Sequence, residues 1–274
     1  MLHRFRDSDL AYSFRTSPVA AGSAAIALIL IVAAVFAPWL APHDPMDVAS
    51  LSLLDSFKPP IGMDDADWSH PLGTDNQGRD VLSAIMCGLR ISLLVGVSSI
   101  LFATVVGVAI GLPAGYAGGI TDAVLMRVAD VQLTFPSILT ALLVDGVIDA
   151  ALPHARREVL QIGVIIFAIG ISLWPGFART VRGSTLVERN KDYVMAARII
   201  GVPSWRIMLS HVLPNVVGPV VVIGTLGLGL AIIAEATLSF LGVGLPPTQP
   251  SLGTLIRFGD DFLFSGSSIP SFRA

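Results

Sequence analysis

ISLLVGVSSILFATVVGVAIGLP, residues Ile91 to Pro113, runs its whole length without a charged side chain. A helix rising 1.5 Å per residue needs about 20 largely apolar residues to cross a hydrocarbon core of roughly 30 Å. This stretch is long enough to span, and longer than most buried helices of a soluble core. Four others read the same way: Val19 to Leu40, Val124 to Val144, Val159 to Phe177 and Val216 to Val243. Val124 to Val144 carries Arg127 and Asp130. The fold class that follows is all-α, a polytopic transmembrane helical bundle with five predicted crossings, and the segments between them are connections.

Composition agrees. Hydrophobic residues make up 53% and charged residues 14% of the chain, with a mean hydropathy of +0.76, outside the mix of a soluble globular protein. A net charge of -3 gives no support to nucleic-acid binding. Cys87 is the only cysteine, so no intramolecular disulfide forms, and a buried, inert thiol is expected. The first stretch follows Arg4, Arg6 and Arg15 as a secretory signal would, but Val19 to Leu40 far exceeds a signal core of about 7–15 residues. Pro38 would also sit just past a cleavage point after Ala37. A retained anchor is expected.

Basic residues stay on the cytoplasmic side during insertion, which places Arg4, Arg6 and Arg15 inside. Ala41 to Arg90 then lies outside, with eight aspartates (Asp44, Asp47, Asp55, Asp64, Asp65, Asp67, Asp75 and Asp80) against Lys58, Arg79 and Arg90. Three further crossings put Arg179 to Leu213 inside, a loop holding Arg179, Arg182, Arg189, Lys191, Arg198 and Arg206. GYAGGIT, Gly115 to Thr121, reads as a tight inside turn whose glycines permit positive backbone angles.

Within the basic loop, DYVMAARIIGVPSWRIMLSHVLPN (Asp192 to Asn215) is too polar to span and too patterned to be slack. It reads as two short helices. Asn190 is expected to cap the first, Gly201 to end it in the left-handed conformation, and Pro203 to open the second; Pro214 marks entry to the last membrane helix. Periodicity alone equally allows an amphipathic pair lying on the inner leaflet, held by Arg198 and Arg206.

The spacing of Met195, Ala196, Ala197, Gly201, His211, Leu213 and Pro214 resembles the EAA signature of ABC importer permeases, with Met195 in place of glutamate and His211 in place of isoleucine. HPLGTDNQGRDVLSAIMCGLRISLLVG (His70 to Gly96), MRVADVQLTFPS (Met126 to Ser137), AEATLSFLGVGLPP (Ala234 to Pro247) and APWLAPHDP (Ala37 to Pro45) narrow the resemblance to the dipeptide, oligopeptide and nickel permeases. The resemblance implies a bacterial inner-membrane permease subunit forming a path for peptides or similar small solutes. Its implied partners are a homologous permease, two cytoplasmic ATP-binding subunits, an external solute-binding protein and membrane lipid. It also implies that Ala196, Ala197, Gly201, Leu213 and Pro214 belong to a coupling helix docked into an ATPase cleft.

With the family applied, the chain divides into a cytoplasmic N-terminus (1–18), a first transmembrane helix (19–40), an external segment (41–90), a permease core (91–245) holding the coupling loop 179–213, and a short, atypical tail (246–274). Family members resemble six-helix bundles with both ends in the cytoplasm. Here SSIPSFRA, Ser267 to Ala274, stands where a sixth apolar segment would begin. The expectation is a truncated chain ending outside and defective in assembly, unless a partner's helix fills the gap.

Three intramembrane residues are candidate polar contacts. Arg127 and Asp130 lie three apart on one helix face and are expected to pair structurally with each other. Glu235, between Ala234 and Ala236, should face protein or water, either as a neutral hydrogen-bonded group in the bundle or on the solute path. His211 reads as a helix-surface side chain. Asp75, Arg79 and Asp80 either brace the start of the second helix or meet a binding protein. No residue is assigned a catalytic, metal or cofactor role. The chain has no GxxxxGK[ST] phosphate loop, HExxH or GxSxG, so the energy for transport is expected from a partner subunit. A secondary transporter driven by an ion gradient is the alternative; it calls for inverted repeats, and none is evident.

The orientation predicts that a cysteine at position 64 reacts with an impermeant thiol reagent in intact cells and one at position 189 does not. Labelling of position 64 only after lysis contradicts the topology.

Overall fold

Proline and glycine decide where the apolar stretches start, bend and stop. The computed structural model describes residues 17–45, 55–63, 66–151, 154–245, 249 and 251–264; the readings at Arg4, Arg6, Arg15, Asp64 and Ser267 to Ala274 lie outside them. Helix α1, Pro18–Val35, starts with Pro18 in its first turn, and the Ser17 hydroxyl accepts the Ala20 N–H. Pro38 has no N–H with which to continue the ladder, so the chain turns at Phe36 and resumes as the short α2, Ala37–Leu40. Only 6% of the apolar window of α1 is buried. Such a helix needs lipid around it.

The described residues form two compact units, those up to 93 with 262–264, and those from 94 to 261. In the first, Lys58 joins Asp55 at 2.7 Å and Asp67 at 2.8 Å. The Lys58 ammonium, helped by the Ser69 N–H, holds the Asp67 carboxyl well below the usual carboxylate range. Arg79 pairs with Asp75 at 2.8 Å, and Asp80 caps the next helix by accepting the Ser83 N–H at 2.8 Å. The bracing reading of Asp75, Arg79 and Asp80 is the geometry present.

Helix α3, Val81–Ala117, begins ten residues before the predicted span and passes through Pro113. Gly118 (φ 68°) and Gly119 (φ 55°) make the turn into α4, Gly119–Thr134. The predicted crossing Val124 to Val144 is not one straight helix: α4 stops, Phe135 is extended, and α5, Ser137–Ala151, leaves at 90°. The cause is Pro136, which drives its preceding residue out of the helical region. Among the described residues, four helices are thus long and apolar enough to cross, or five if this bent pair counts as one span.

Helix α6, His154–Glu188, runs eleven residues beyond the predicted Phe177, so the loop expected from Arg179 begins after Glu188. Half of its apolar window is buried, the largest share of the four candidate spans, and α4, α5 and α9 all pack on it. Helix α7 is Asp192–Ile199; α8, Ser204–Ile207, passes through a π turn at Met208–Val212 directly into α9, Leu213–Phe240. The second short helix of the loop is therefore the opening of the last long one. Pro214 offers no N–H, and the widened turn, with Leu213 N–H on the Met208 carbonyl, absorbs the mismatch. Helix α9 buries Val216, Val220, Gly227, Ala231, Glu235 and Leu238, while Val222, Leu226 and Ile233 are each more than 60% exposed. The two-sided apolar surface suits lipid. A further helix, α10, Leu252–Phe264, follows.

Glycines let α3 lie against α6. A Cβ at Gly107 would stand 2.4 Å from the Phe177 Cβ, one at Gly111 2.3 Å from the Ala178 carbonyl oxygen, and one at Gly115 2.7 Å from the Thr185 Cβ. Their spacing of four keeps all three on one face, the small-residue device of membrane helix pairs. Gly111→Leu is predicted to destabilise the detergent-solubilised chain by about 1–3 kcal/mol or more through overpacking. Gly146→Ala, where a Cβ meets nothing within 4 Å, should leave it unchanged or raise it by up to about 1 kcal/mol. Thermal unfolding monitored by size-exclusion chromatography checks both; equal melting of Gly111→Leu and the parent contradicts the packing.

Candidate coupling loop and intramembrane contacts

Helix α7 ends as its sequence suggests. Gly201 has φ 84°, the Val202 N–H reaches back to the Ala197 carbonyl at 3.0 Å, and the Gly201 N–H reaches that of Arg198 at 3.0 Å. These two bonds make a Schellman end, in which the left-handed residue satisfies carbonyls that the helix leaves open. Ala197 is buried and packs in the core with Val194, Ile207, Val212 and Val216. Ala196 is exposed, and Leu213 and Pro214 open α9. The N-terminal cap differs from expectation. Lys191 holds the cap position without a side-chain capping bond to the helix, because the Asn190 amide donates backward to the Leu186 carbonyl at 3.1 Å. Pro203 stands immediately before α8.

A polar frame that sequence reading missed holds this loop. The Glu188 carboxylate accepts from Lys191 Nζ at 2.6 Å and from Tyr193 Oη at 2.6 Å. Asn215 Nδ2 donates to Tyr193 Oη at 3.1 Å and to the His211 carbonyl at 2.7 Å. The end of α6, the start of α7 and the start of α9 are thereby tied through one phenol. Burial and the Glu188 carboxylate push that phenol up to about 12, so it stays a donor at physiological pH. Arg189 Nη1 donates to the Gly115 carbonyl at 2.8 Å, a cation on the C-terminal carbonyls of α3. The Arg198 guanidinium lies 4.7 Å from the Tyr116 ring centroid. What the frame presents outward is apolar: Ile199 is 87% and Ile200 80% exposed.

The other candidate residues fall elsewhere. Asp130 does not pair with Arg127; it pairs with Arg179 on α6, one turn before the bidentate Arg182–Asp122 pair at 2.7 and 2.6 Å. The long extension of α6 supplies these arginines, and a partner on a neighbouring helix replaces one on the same face. Arg127 is exposed. Glu235 is fully buried and accepts the Ser239 hydroxyl at 2.8 Å. His211 is half-buried on the π turn. Beside the break between α4 and α5 lies an apolar pocket of about 150 Å³ whose lining includes Ser137, Ala141, Ser172 and Ala234.

The family described as binding-protein-dependent transport system inner membrane component matches residues 107–270, and the N-terminal TM domain of oligopeptide transport permease C matches residues 4–60. The di/tripeptide transport system permease protein DppC of Pseudomonas aeruginosa is 34% identical over 251 residues, 92% of this chain and 78% of the relative. The glutathione transport system permease protein GsiD of Pectobacterium atrosepticum is 36% identical over 244 residues, 89% and 75% of the two chains. The oligopeptide transport system permease protein OppC of Bacillus subtilis is 34% identical over 251 residues, 92% and 76%.

Tyr193→Phe is predicted to remove about 1 kcal/mol from the loop, roughly a fivefold rise in its opening. Trypsin cleavage after Lys191 should accelerate accordingly while helix content holds. Cleavage at the parent rate contradicts the role of the phenol.

Proposed function

The chain belongs to the family of binding-protein-dependent transport system inner membrane components, and from that premise we propose how its loop couples transport to ATP. It is a transmembrane permease subunit of an ATP-driven importer for peptides or similar small solutes, located in the inner membrane. The family assignment favours ATP over the ion-gradient alternative. In the proposed assembly a homologous permease completes the solute path, two cytoplasmic ATP-binding subunits hydrolyse ATP, and an external binding protein delivers the solute. This chain carries no chemistry of its own in that scheme.

The observation that supports the coupling role is the exposed Ile199–Ile200 tip on a loop fixed at three points, by Glu188, Tyr116 and Asn215. Burying an isoleucine side chain contributes about 1.5–3 kcal/mol, so two of them form a compact docking knob. Because α8 continues into α9 and α6 leads into α7, a push on the knob is delivered to two long helices together. Movement of the ATPases then tilts α6 and α9 and changes access to the path. Glu235 and the small pocket beside Ser172 belong to the part of the bundle that such tilting rearranges.

Two variants test this reading. Ile199→Asp with Ile200→Asp should lower recovery of the ATP-binding subunits with the permease by more than tenfold. Gly201→Val, whose branched side chain is disfavoured at φ 84° by about 1 kcal/mol or more, should uncouple transport. Both should leave the amount of subunit in the membrane unchanged. Full assembly and transport in both variants contradicts the docking role.

A further inference from the structure

We propose that His43, His70 and Asp80 form a binding site for a divalent transition-metal cation of the zinc class, clamping the start of α3 to the chain that leaves α2. No metal-ligand spacing in the sequence signals it, because His43 and His70 stand 27 positions apart and His70 and Asp80 ten. The fold brings one ligand atom from each to within 4.8 Å of the others.

Two of the three are buried: Asp80 is 2% and His70 8% exposed. Asp80 divides its carboxylate between two tasks. Oδ2 accepts the Ser83 N–H at 2.8 Å and the Ser83 hydroxyl, capping α3. Oδ1 faces His70 Nδ1 at 3.3 Å. That separation is longer than the about 2.7–2.9 Å of a charge-assisted hydrogen bond. It equals the edge of a tetrahedron of nitrogen and oxygen ligands set about 2.0–2.1 Å from a zinc ion, roughly 3.3–3.4 Å. The His43 ring stacks on that of His70 with centroids 4.6 Å apart, and its ligand nitrogen lies within 4.8 Å of the other two ligand atoms.

The backbone sets these positions before any ion arrives. The His43 N–H donates to Ser83 Oγ at 3.1 Å. The His70 N–H donates to the Asp67 carbonyl at 3.0 Å, and its carbonyl accepts the Gly73 N–H at 2.9 Å. Two imidazoles and one carboxylate suit zinc and its neighbours over magnesium or calcium, which call for oxygen. A dication would also neutralise a carboxylate held out of water. Exposed His43 leaves the fourth coordination position open to water. Ligation would fix Leu40 to His43 against the first turn of α3, on the segment that the charge rule places outside.

The test uses the full chain, purified with a tag free of histidine and stripped with a chelator. Zinc is titrated in competition with a chromophoric chelator, and cobalt is used as a spectroscopic substitute. The expected result is one zinc per chain, a tetrahedral cobalt absorption band, and a melting temperature that rises with zinc. His43→Ala, at an exposed position, should leave metal-free melting unchanged, weaken zinc binding at least tenfold and abolish both the band and the rise. No binding by the parent, or binding by His43→Ala within tenfold of it, overturns the proposal. The second result would place the cation elsewhere.

Discussion

The close approach of α3 to α6 is the contact on which the rest of the membrane core depends. Lipid tails are as apolar as leucine, so helices in a bilayer gain little from hydrophobicity alone and associate through packing and polar contacts. Gly107, Gly111 and Gly115 remove the side chains that would hold the two backbones apart. Once α6 lies there, Phe177, Ala178 and Val181 fill the common core with Leu112, Val212 and Val216. Glycine elsewhere repeats the device: a Cβ at Gly227 would stand 2.9 Å from Ile100, and one at Gly253 2.4 Å from the Ala236 carbonyl oxygen.

From that contact the polar end of the molecule follows. Helix α6 continues past its apolar part and carries Arg179 and Arg182 to Asp130 and Asp122 on α4. Just beyond it Arg189 closes on the carbonyls of α3. Single surface pairs contribute little, but this set converges on one helix and fixes where α6 ends. Glu188 and Tyr193 then aim α7 outward. The loop is held by its base and left apolar at its tip, an arrangement that suits a part pressed by a partner.

Much of this was legible in the sequence, and the misses have physical causes. Length and apolarity revealed the spans, and Gly201 announced a left-handed turn because little else ends a helix that way at low cost. Pro136 stood in plain view, yet hydropathy averages across it and reads a bent pair as one crossing. The extension of α6 was hidden because Arg179 to Glu188 is too charged to resemble a membrane helix, and because Thr180, Val181, Gly183, Ser184, Thr185 and Val187 are weak helix formers. Asp130 was matched to Arg127 because a linear sequence offers only neighbours on the same helix. Glu188, Tyr193 and Asn215, like His43, His70 and Asp80, are joined only by the fold.

The central claim is that the loop tip meets the ATPase. Photo-crosslinking from p-benzoylphenylalanine at position 200, in the assembled transporter in native membranes, tests it most directly, with position 226 on the exposed face of α9 as the reference. The account predicts an adduct between position 200 and the ATP-binding subunit, and none from position 226. Adducts of position 200 with lipid alone, while the ATP-binding subunit stays in the complex, would contradict it and favour a loop lying on the inner leaflet.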